Sequence, residues 1–419
     1  MQDSRLLRTV DRSIGKAACG AISWARSLRR RVSFFGSEST APVEKVLLVE
    51  LFEMGAAIML APSISYLKKQ NPKIEIHCLA TRTCLPVWNT LGIVDADKIH
   101  VMESSSPVSF LLSAMRVLWS LRKIRFDLIV DYELFMRISA IFVGVLRARR
   151  RAGFYRYSFE GLERGEFFES RCAYNQNSHI ARNYLSLTKT GFERRENMPN
   201  FKDSIPASEI EFRPLIARAS AGEIAKIMKV DGFAGPYLAV CADVGKTLAV
   251  RNYPRPSFAA VIRDLLKHYP EHRIVMIGTE EDRATSGAIL GLVGNPDRCI
   301  DLCGKTSFKE LLQVISAADL LITNDNGPGH FATVTGTKTL ALFSTDSPFV
   351  YGPLGDAVIA YSFFQCSPCI SAYNHKTSVC DDNKCLQALP PERVTELARR
   401  ILDGKVKFRT INGEISYLP

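Results

Sequence analysis

The sequence predicts an α/β protein built from two doubly wound, parallel-sheet domains. Its 419 residues are 47% apolar, enough for more than one core, since domains usually run roughly 100 to 200 residues. Strand-type apolar runs alternate with helix-type segments, the pattern of βαβ units. That alternation breaks down over 152–214 and then restarts, which marks two halves. Charged residues make up 23%, so neither a disordered chain nor a coiled-coil rod fits. The clean apolar stretches, such as Ile138 to Leu146, fall short of the ~18 consecutive apolar residues of a spanning helix, so no transmembrane helix is expected.

Residues 1–40 form a basic leader, with eight Arg/Lys against three Asp/Glu, +5 of the total +11. Leu7, Val10, Ile14, Ala18, Ala21, Ala25, Leu28 and Val32 recur at helical spacing, with arginines between them. Such a helix can lie on an anionic bilayer surface; a solvated leader or an Arg-rich transit peptide are the alternatives. No apolar stretch follows that would serve a secretory signal, so eleven cysteines imply a reducing compartment and mostly free thiols.

After Pro42, Lys45 to Leu51 is a short apolar run of strand type, and Ala56 to Lys69 reads as one helix ended by Asn71-Pro72. Ile74 to Ala80 is a strand, Leu85 to Leu91 a helix, Lys98 to Met102 a strand and Val108 to Lys123 a helix. Phe126 to Val130 is a strand running into Asp131. Phe135 to Leu146 is a helix closed by the basic run Arg147 to Arg151. Residues 152–195 are aromatic and irregular, and 196–214, with three prolines, is the candidate linker. Alternation resumes with strands at Tyr237–Cys241, Arg273–Ile277, Ile300–Leu302, Leu320–Thr323 and Thr339–Phe343. Helices are expected at 257–268, 281–292, 308–317 and 329–335, and Pro391 to Leu402 closes the domain, with Gly404 just past its end. Two such halves would put a cleft between the carboxyl ends of two sheets.

The common cofactor signatures are absent. Gly245-Lys246-Thr247 and Gly304-Lys305-Thr306 lack the earlier glycine of a Walker A loop, where Val240 and Cys299 stand, and no G-x-G-x-x-G or H-E-x-x-H occurs. Between Asp319 and Pro348 a hydrophobic strand ends in Thr323-Asn324-Asp325-Asn326, a Gly-Pro-Gly turn follows, and a helix starts near His330. The amide groups and dipole of that helix start suit a phosphate or pyrophosphate, with Asp325 and His330 at its mouth. The plainer alternative is a turn in which Asn326 caps the helix and Gly327 supplies an unusual backbone angle. Four cysteines, Cys366, Cys369, Cys380 and Cys385, are spaced C-x2-C-x10-C-x4-C and could hold a structural zinc or remain thiols. The basic run could meet anionic groups; no nucleic-acid motif accompanies it, and nucleic acid is not expected as a partner.

The run SFKELLQVISAADLLITNDNGPGH, followed by GTKTLALFSTDSP, resembles the donor-site signature of glycosyltransferase family 9, the ADP-heptose:lipopolysaccharide heptosyltransferases. KVLLVELFEMGAAIMLAPSISYLKK, FDLIVDYE, RARRRAGF and RNYPRPSF agree in order, so the resemblance runs from about 45 to 402. It implies a GT-B fold, two Rossmann-like halves facing across a cleft, and inverting transfer that requires no metal. Under it, 41–205 is the acceptor domain, 206–404 the nucleotide-sugar donor domain with the cysteine loop 366–385, and 405–419 a tail. Asp325, Asn326, Gly327 and His330 would surround the donor diphosphate, with ADP-heptose the expected donor. Arg251 matches the family's phosphate-contacting basic residue, usually Lys. Glu280 and Glu281 match the region that holds the nucleoside ribose, although they could equally be first-turn acids.

One departure bears on the chemistry. Heptosyltransferases usually carry Gly-Asp after the first strand, the Asp being the proposed general base, whereas this chain has Gly55-Ala56. A sugar hydroxyl needs a carboxylate within hydrogen-bond reach, so the base must be relocated or activity lost. Glu53 is the first candidate, and Asp131 and Glu133 the second and the expected acceptor contacts. Arg150 and Arg151 are expected to hold anionic groups of a glycolipid or glycan acceptor. The reading is a glycosyltransferase of lipopolysaccharide biosynthesis, cytoplasmic and peripheral on the inner membrane. Its main alternative is a non-catalytic GT-B protein that binds a nucleotide sugar or glycan; sugar-nucleotide epimerisation is a more distant one.

Overall fold

A computed structural model describes residues 4–32, 41–134, 136–155, 164–193, 201–230, 235–372 and 378–417. The outer parts of the leader, Arg156 to Glu163, the first part of the expected linker and the tip of the cysteine loop lie outside the described residues. The chain divides into two compact units, Met1–Gln176 with Ile180–Ile210, and Asn177–His179 with Glu211–Pro419.

In the first unit, β1 (Lys45–Val49), β2 (Glu75–Thr81), β3 (Ile99–Met102), β4 (Phe126–Asp131), β5 (Ala148–Phe154) and β6 (Ser170–Cys172) form a parallel sheet in the order β3-β2-β1-β4-β5-β6. The helices are α1 (Ser4–Val32), α2 (Met54–Met59), α3 (Ala61–Gln70), α4 (Leu85–Leu91), α5 (Pro107–Leu121), α6 (Arg137–Val145) and α7 (Ile180–Phe192). Val46, Leu47, Leu48 and Val49 of β1 are fully buried, as a central parallel strand covered on both faces must be. Each such side chain stabilises the sheet by about 1.5–3 kcal/mol. The strand order reverses between β1 and β4, so the loops leaving these strands flank the crevice where doubly wound sheets bind ligands.

Three expectations for this unit are corrected. The single helix at 56–69 is two, because Pro62 sits in the first turn of α3, has no N–H to donate backward and clashes with the preceding turn. The arginine run belongs to β5 and does not end a helix. The leader does not stand apart: Cys19 and Ile22 of α1 enter a core shared with α5 and α6. Asp11 accepts hydrogen bonds from the Arg137 and Ile138 amides at the start of α6, at 2.8 and 2.9 Å. Arg26 donates to the Gly144 carbonyl at its other end, at 3.1 Å. An acid at the amino end and a base at the carboxyl end are where a helix dipole favours them. Within the stretch read as irregular and aromatic, β6 and α7 were not assigned from the sequence, and α7 is buried along most of its length.

In the second unit, α8 (Ala221–Met228) precedes β7 (Tyr237–Cys241), α9 (Arg255–His268), β8 (Arg273–Met276), α10 (Arg283–Val293), β9 (Cys299–Asp301), α11 (Phe308–Ala317), β10 (Leu320–Asn324), α12 (Gly327–Thr335) and β11 (Thr339–Leu342). Then come α13 (Pro348–Tyr351), β12 (Ala357–Ala360), α14 (Lys384–Gln387), α15 (Pro391–Leu402), β13 (Thr410–Ile411) and β14 (Ile415–Ser416). The sheet order is β14-β13-β12-β11-β10-β7-β8-β9, parallel except for the β13–β14 pair. Its reversal falls between β7 and β10. Local sequence explains the helix starts: Ser220 with Glu223 and Ser307 with Glu310 form capping boxes at α8 and α11, each satisfying amides that the helix itself cannot.

Candidate functional site

The second unit gathers most of the residues expected to bind a donor at its β7/β10 reversal. Asn324, the last residue of β10, is fully buried; its side chain donates to the Ala242 carbonyl at 2.8 Å and accepts from the Tyr253 amide at 3.2 Å. These bonds fix the loop after β7 and the approach to α9 against β10. Asn326 does not cap α12. Its amide donates to the Asp243 carbonyl at 3.0 Å, and its oxygen accepts from the Thr323 hydroxyl at 2.6 Å. Asn326 therefore gives no side-chain cap to the Gly327 and Gly329 amides of α12, a helix start of the kind that an anion can cap. Gly327 opens this helix without a positive φ, so the unusual backbone angle of the plainer alternative is not found. His330 lies one turn in and is half-buried.

Arg251 ends a short 3-10 turn, Lys246–Arg251. Its Nε donates to the Thr345 hydroxyl at 3.2 Å and lies 3.7 Å from Asp325, while Nη2 is ion-paired with Asp346. Asp346 is 2% exposed and Asp325 7% exposed, so the guanidinium is held from one side by two carboxylates. Nη1 makes no hydrogen bond to a described residue and remains able to donate. Thr345 and Asp346 were not singled out from the sequence, although both stand in the quoted GTKTLALFSTDSP run at the end of β11.

Glu280 and Glu281 follow β8 as the exposed first residues of a 3-10 turn, Glu280–Asp282, whose last residue is buried. Glu280 pairs with Arg283 at 2.7 Å. The turn presses on Gly304, where a Cβ would lie 2.7 Å from the Glu280 Cα and where φ is +69°. Only glycine adopts that conformation without strain.

At the β1/β4 reversal of the first unit the charges are arranged differently. Asp131 is fully buried and its Oδ2 meets Arg164 Nη2 at 2.5 Å. Arg164 also donates to the Ser139 hydroxyl at 2.9 Å and to the Met136 carbonyl at 3.2 Å. Burial pushes the Asp131 carboxyl up, against the pull of Arg164. Asp131 therefore does not reach an acceptor, which corrects the expectation. Arg164 carried no sequence signal; it lies in the irregular stretch, 33 residues from its partner.

Glu133 accepts the Leu51 amide at 2.9 Å, tying the β4 loop to the end of β1. Its carboxyl is pushed up to about 7, chiefly by burial and further by the charges of Asp131 and Glu53. Glu53 is exposed in the residue before α2, and Ala56 is buried inside that helix. These two glutamates are thus neighbours at one crevice, as their loops at β1 and β4 require.

Arg150 and Arg151 are also corrected. Arg150 is 6% exposed and donates to the Gly191 carbonyl. Arg151 is 1% exposed and donates to the Val143 and Leu146 carbonyls at 2.9 and 2.7 Å. Both are consumed in joining β5 to α7 and α6. Of the four loop cysteines, Cys385 has its thiol raised first by burial and then by the charges of Cys366 and Cys369, which lie near it, while no group of three or more His, Cys, Asp or Glu among the described residues is placed to hold a metal ion. Cys380 donates to the Asp382 carbonyl at 3.1 Å, Cys366 is exposed and Cys385 is buried.

Two Rossmann-like domains, the second with an uncapped helix start at its strand-order reversal, define the GT-B class of glycosyltransferase folds. The sequence profile described as glycosyltransferase family 9 (heptosyltransferase) matches residues 114–379, and the chain belongs to that family. Lipopolysaccharide heptosyltransferase 1 of Campylobacter coli is 21% identical over 302 residues, 71% of this chain and 83% of that protein. The solved E. coli ADP-heptose LPS heptosyltransferase II is 18% identical, with a TM-score of 0.62 over 86% of this chain and 99% of that one. E. coli heptosyltransferase WaaC with ADP-2-deoxy-2-fluoro heptose is 13% identical, with a TM-score of 0.59 over 85% and 99% of the two chains. Among the described residues no helix is long and apolar enough to cross a membrane.

Proposed function

We propose that this protein transfers a heptose, or a closely similar sugar, from ADP-heptose to a lipopolysaccharide-core or other glycolipid acceptor, with inversion and without a catalytic metal. The observation that carries the donor half is the start of α12, stripped of its cap because Asn326 is turned toward Asp243, with the Nη1 edge of Arg251 still able to donate. The names of the solved relatives, which bind ADP-heptose or its analogue, support the choice of nucleotide. Asp325, Gly327 and His330 line the diphosphate, and the turn Glu280–Glu281 meets the ribose.

In the acceptor half, Glu53 takes the proton of the attacking hydroxyl. The new bond forms between that oxygen and the anomeric carbon, the bond to the β-phosphate oxygen breaks, and ADP leaves with the electron pair. Arg251 and the α12 amides oppose the charge that develops on the leaving diphosphate, where fixed donors count most. A second reading makes Glu133 the base, favoured by a carboxyl raised to about 7, near the range that suits proton transfer at neutral pH. A third, a binder without turnover, is favoured by Ala56 standing where family members carry the acid. The enzyme would work at the cytoplasmic face of an inner membrane, with the basic face of α1 near anionic lipid.

Thermal unfolding with ADP-, GDP-, UDP- and CDP-sugars tests the donor, because a ligand that binds only the native state raises its stability by mass action. Selective stabilisation by ADP-heptose, followed by release of ADP on adding acceptor, is the expected result. Stabilisation without release would favour the binder, and no shift with any donor would overturn the reading.

A further inference from the structure

Helix α5 is apolar on both sides. Its inner side, through Ala114 and Leu121 with Phe110, Val117 and Leu118, belongs to the first unit's core. Its outer side carries Val108, Leu111, Leu112, Met115 and Trp119, each between 51 and 68% exposed. These five fall at i, i+3, i+4, i+7 and i+11, one continuous stripe along the helix. A helix that is hydrophobic all round is normally buried on all sides, and a contiguous exposed stripe of this size marks a contact surface.

Charge identifies what covers it. From Ser104 to Phe126 there is no acidic residue, while Arg116, Arg122, Lys123 and Arg125 are all present and exposed. Lys123 lies over the Trp119 ring, 3.5 Å from its centroid. An apolar stripe, an indole at its end and a purely basic border are the composition of a helix lying in the headgroup region of an anionic bilayer. A protein partner of ordinary composition would not require one sign of charge. Helix α1 packs into the same core and turns Ile14, Trp24 and Leu28 outward, so the apolar outer surface is not confined to one helix.

We propose that the outer face of α5 is the membrane-docking surface of this protein, with Val108, Leu111, Leu112, Met115 and Trp119 entering the interface of an anionic bilayer and Arg116, Arg122, Lys123 and Arg125 meeting its headgroups. This deepens, and rests on, the reading of the protein as a membrane-surface enzyme, and it moves the principal contact from the leader to α5. Docking through α5 would hold the first domain against the surface on which a glycolipid acceptor is presented.

The test uses full-length protein and vesicles of phosphatidylethanolamine with one quarter phosphatidylglycerol, against vesicles of phosphatidylcholine. Wild type should sediment with the anionic vesicles and release with salt. Leu111→Glu/Met115→Glu should lower the partition by about 10-fold or more, and Arg122→Gln/Lys123→Gln should lower it less and flatten the salt dependence. In a Trp24→Phe background Trp119 should shift to the blue and be quenched by brominated lipid, since Trp88 is already buried. This readout needs no change on α5 and decides the matter if the double variant folds poorly.

Wild-type binding with an unmoved Trp119, or with no loss in a folded α5 variant, would overturn the α5 assignment and leave the membrane reading standing. No binding of wild type to any vesicle would overturn both. A dimer in sedimentation that the α5 variant makes monomeric would overturn the assignment in favour of self-association.

Discussion

Each domain sets an arginine against carboxylate at the carboxyl edge of its sheet, and the two pairs leave different things over. Arg164 and Asp131 have side chains 3 and 0% exposed, and Ser139 and Met136 take further donors of the arginine. Arg251 is 15% exposed, is held along one edge by Asp325, Asp346 and Thr345, and keeps Nη1 for something else. The first pair is a joint of the fold. The second is a cation aimed by its neighbours, which is what recognition of a diphosphate needs. Burial, more than residue type or even pairing, separates the two.

The largest effect expected is on turnover. Glu53→Gln should lower transfer by about 10²- to 10⁴-fold, the usual worth of a general base, with donor affinity unchanged in calorimetry; near-normal turnover would reject Glu53. Next, Arg164→Ala should cost about 3–5 kcal/mol in denaturant unfolding, because it strands a buried carboxylate. A loss under 1 kcal/mol would mean that the pair is not sealed as described. Arg251→Ala should leave stability within about 1 kcal/mol and weaken ADP by roughly 10- to 100-fold, a charge-assisted hydrogen bond's worth. Equal losses of stability in both arginine variants would erase the contrast between them.

The smallest effect concerns pH. Glu133 has a folded-state carboxyl raised from 4.5 to about 7, so between those values the unfolded chain binds fewer protons than the native one. Stability from this group is present below about pH 4.5 and is lost as pH rises through about 7. Glu133→Gln stays neutral and still accepts the Leu51 amide. It should gain on the order of 1 kcal/mol over wild type at pH 8, with no gain at pH 4; a gain that is the same at both pH values would sink the assignment.

Most of the second domain could be read in advance, because its elements are short apolar runs punctuated by signals that act locally. Ser307 and Glu310 announce α11, and Pro391 and Gly404 bracket α15. The loop proposed to meet the diphosphate stood out in the sequence for the same reason: strand, turn and helix are contiguous, so proximity along the chain guarantees proximity in space. Asp346 was missed because it reaches Arg251 from the loop after β11, and no local signal records that. The first domain hid more. β5 carries Arg149, Arg150 and Arg151, which look like a solvated helix end until their partners on α6, α7 and Glu169 are known. Helix α7 buries Asn183, Ser186, Thr188 and Thr190 along with its apolar residues, so polar side chains there do not mark a solvent face.

The way α1 grips α6, with Asp11 at one end and Arg26 at the other, has a practical consequence for anyone handling this protein. A leader that looks dispensable is a splint: shortening the gene to residue 41 would uncap the helix that begins beside Asp131 and Arg164, and would open the core at Cys19. A truncated preparation that proved inactive would be reporting on a broken domain rather than on a missing anchor.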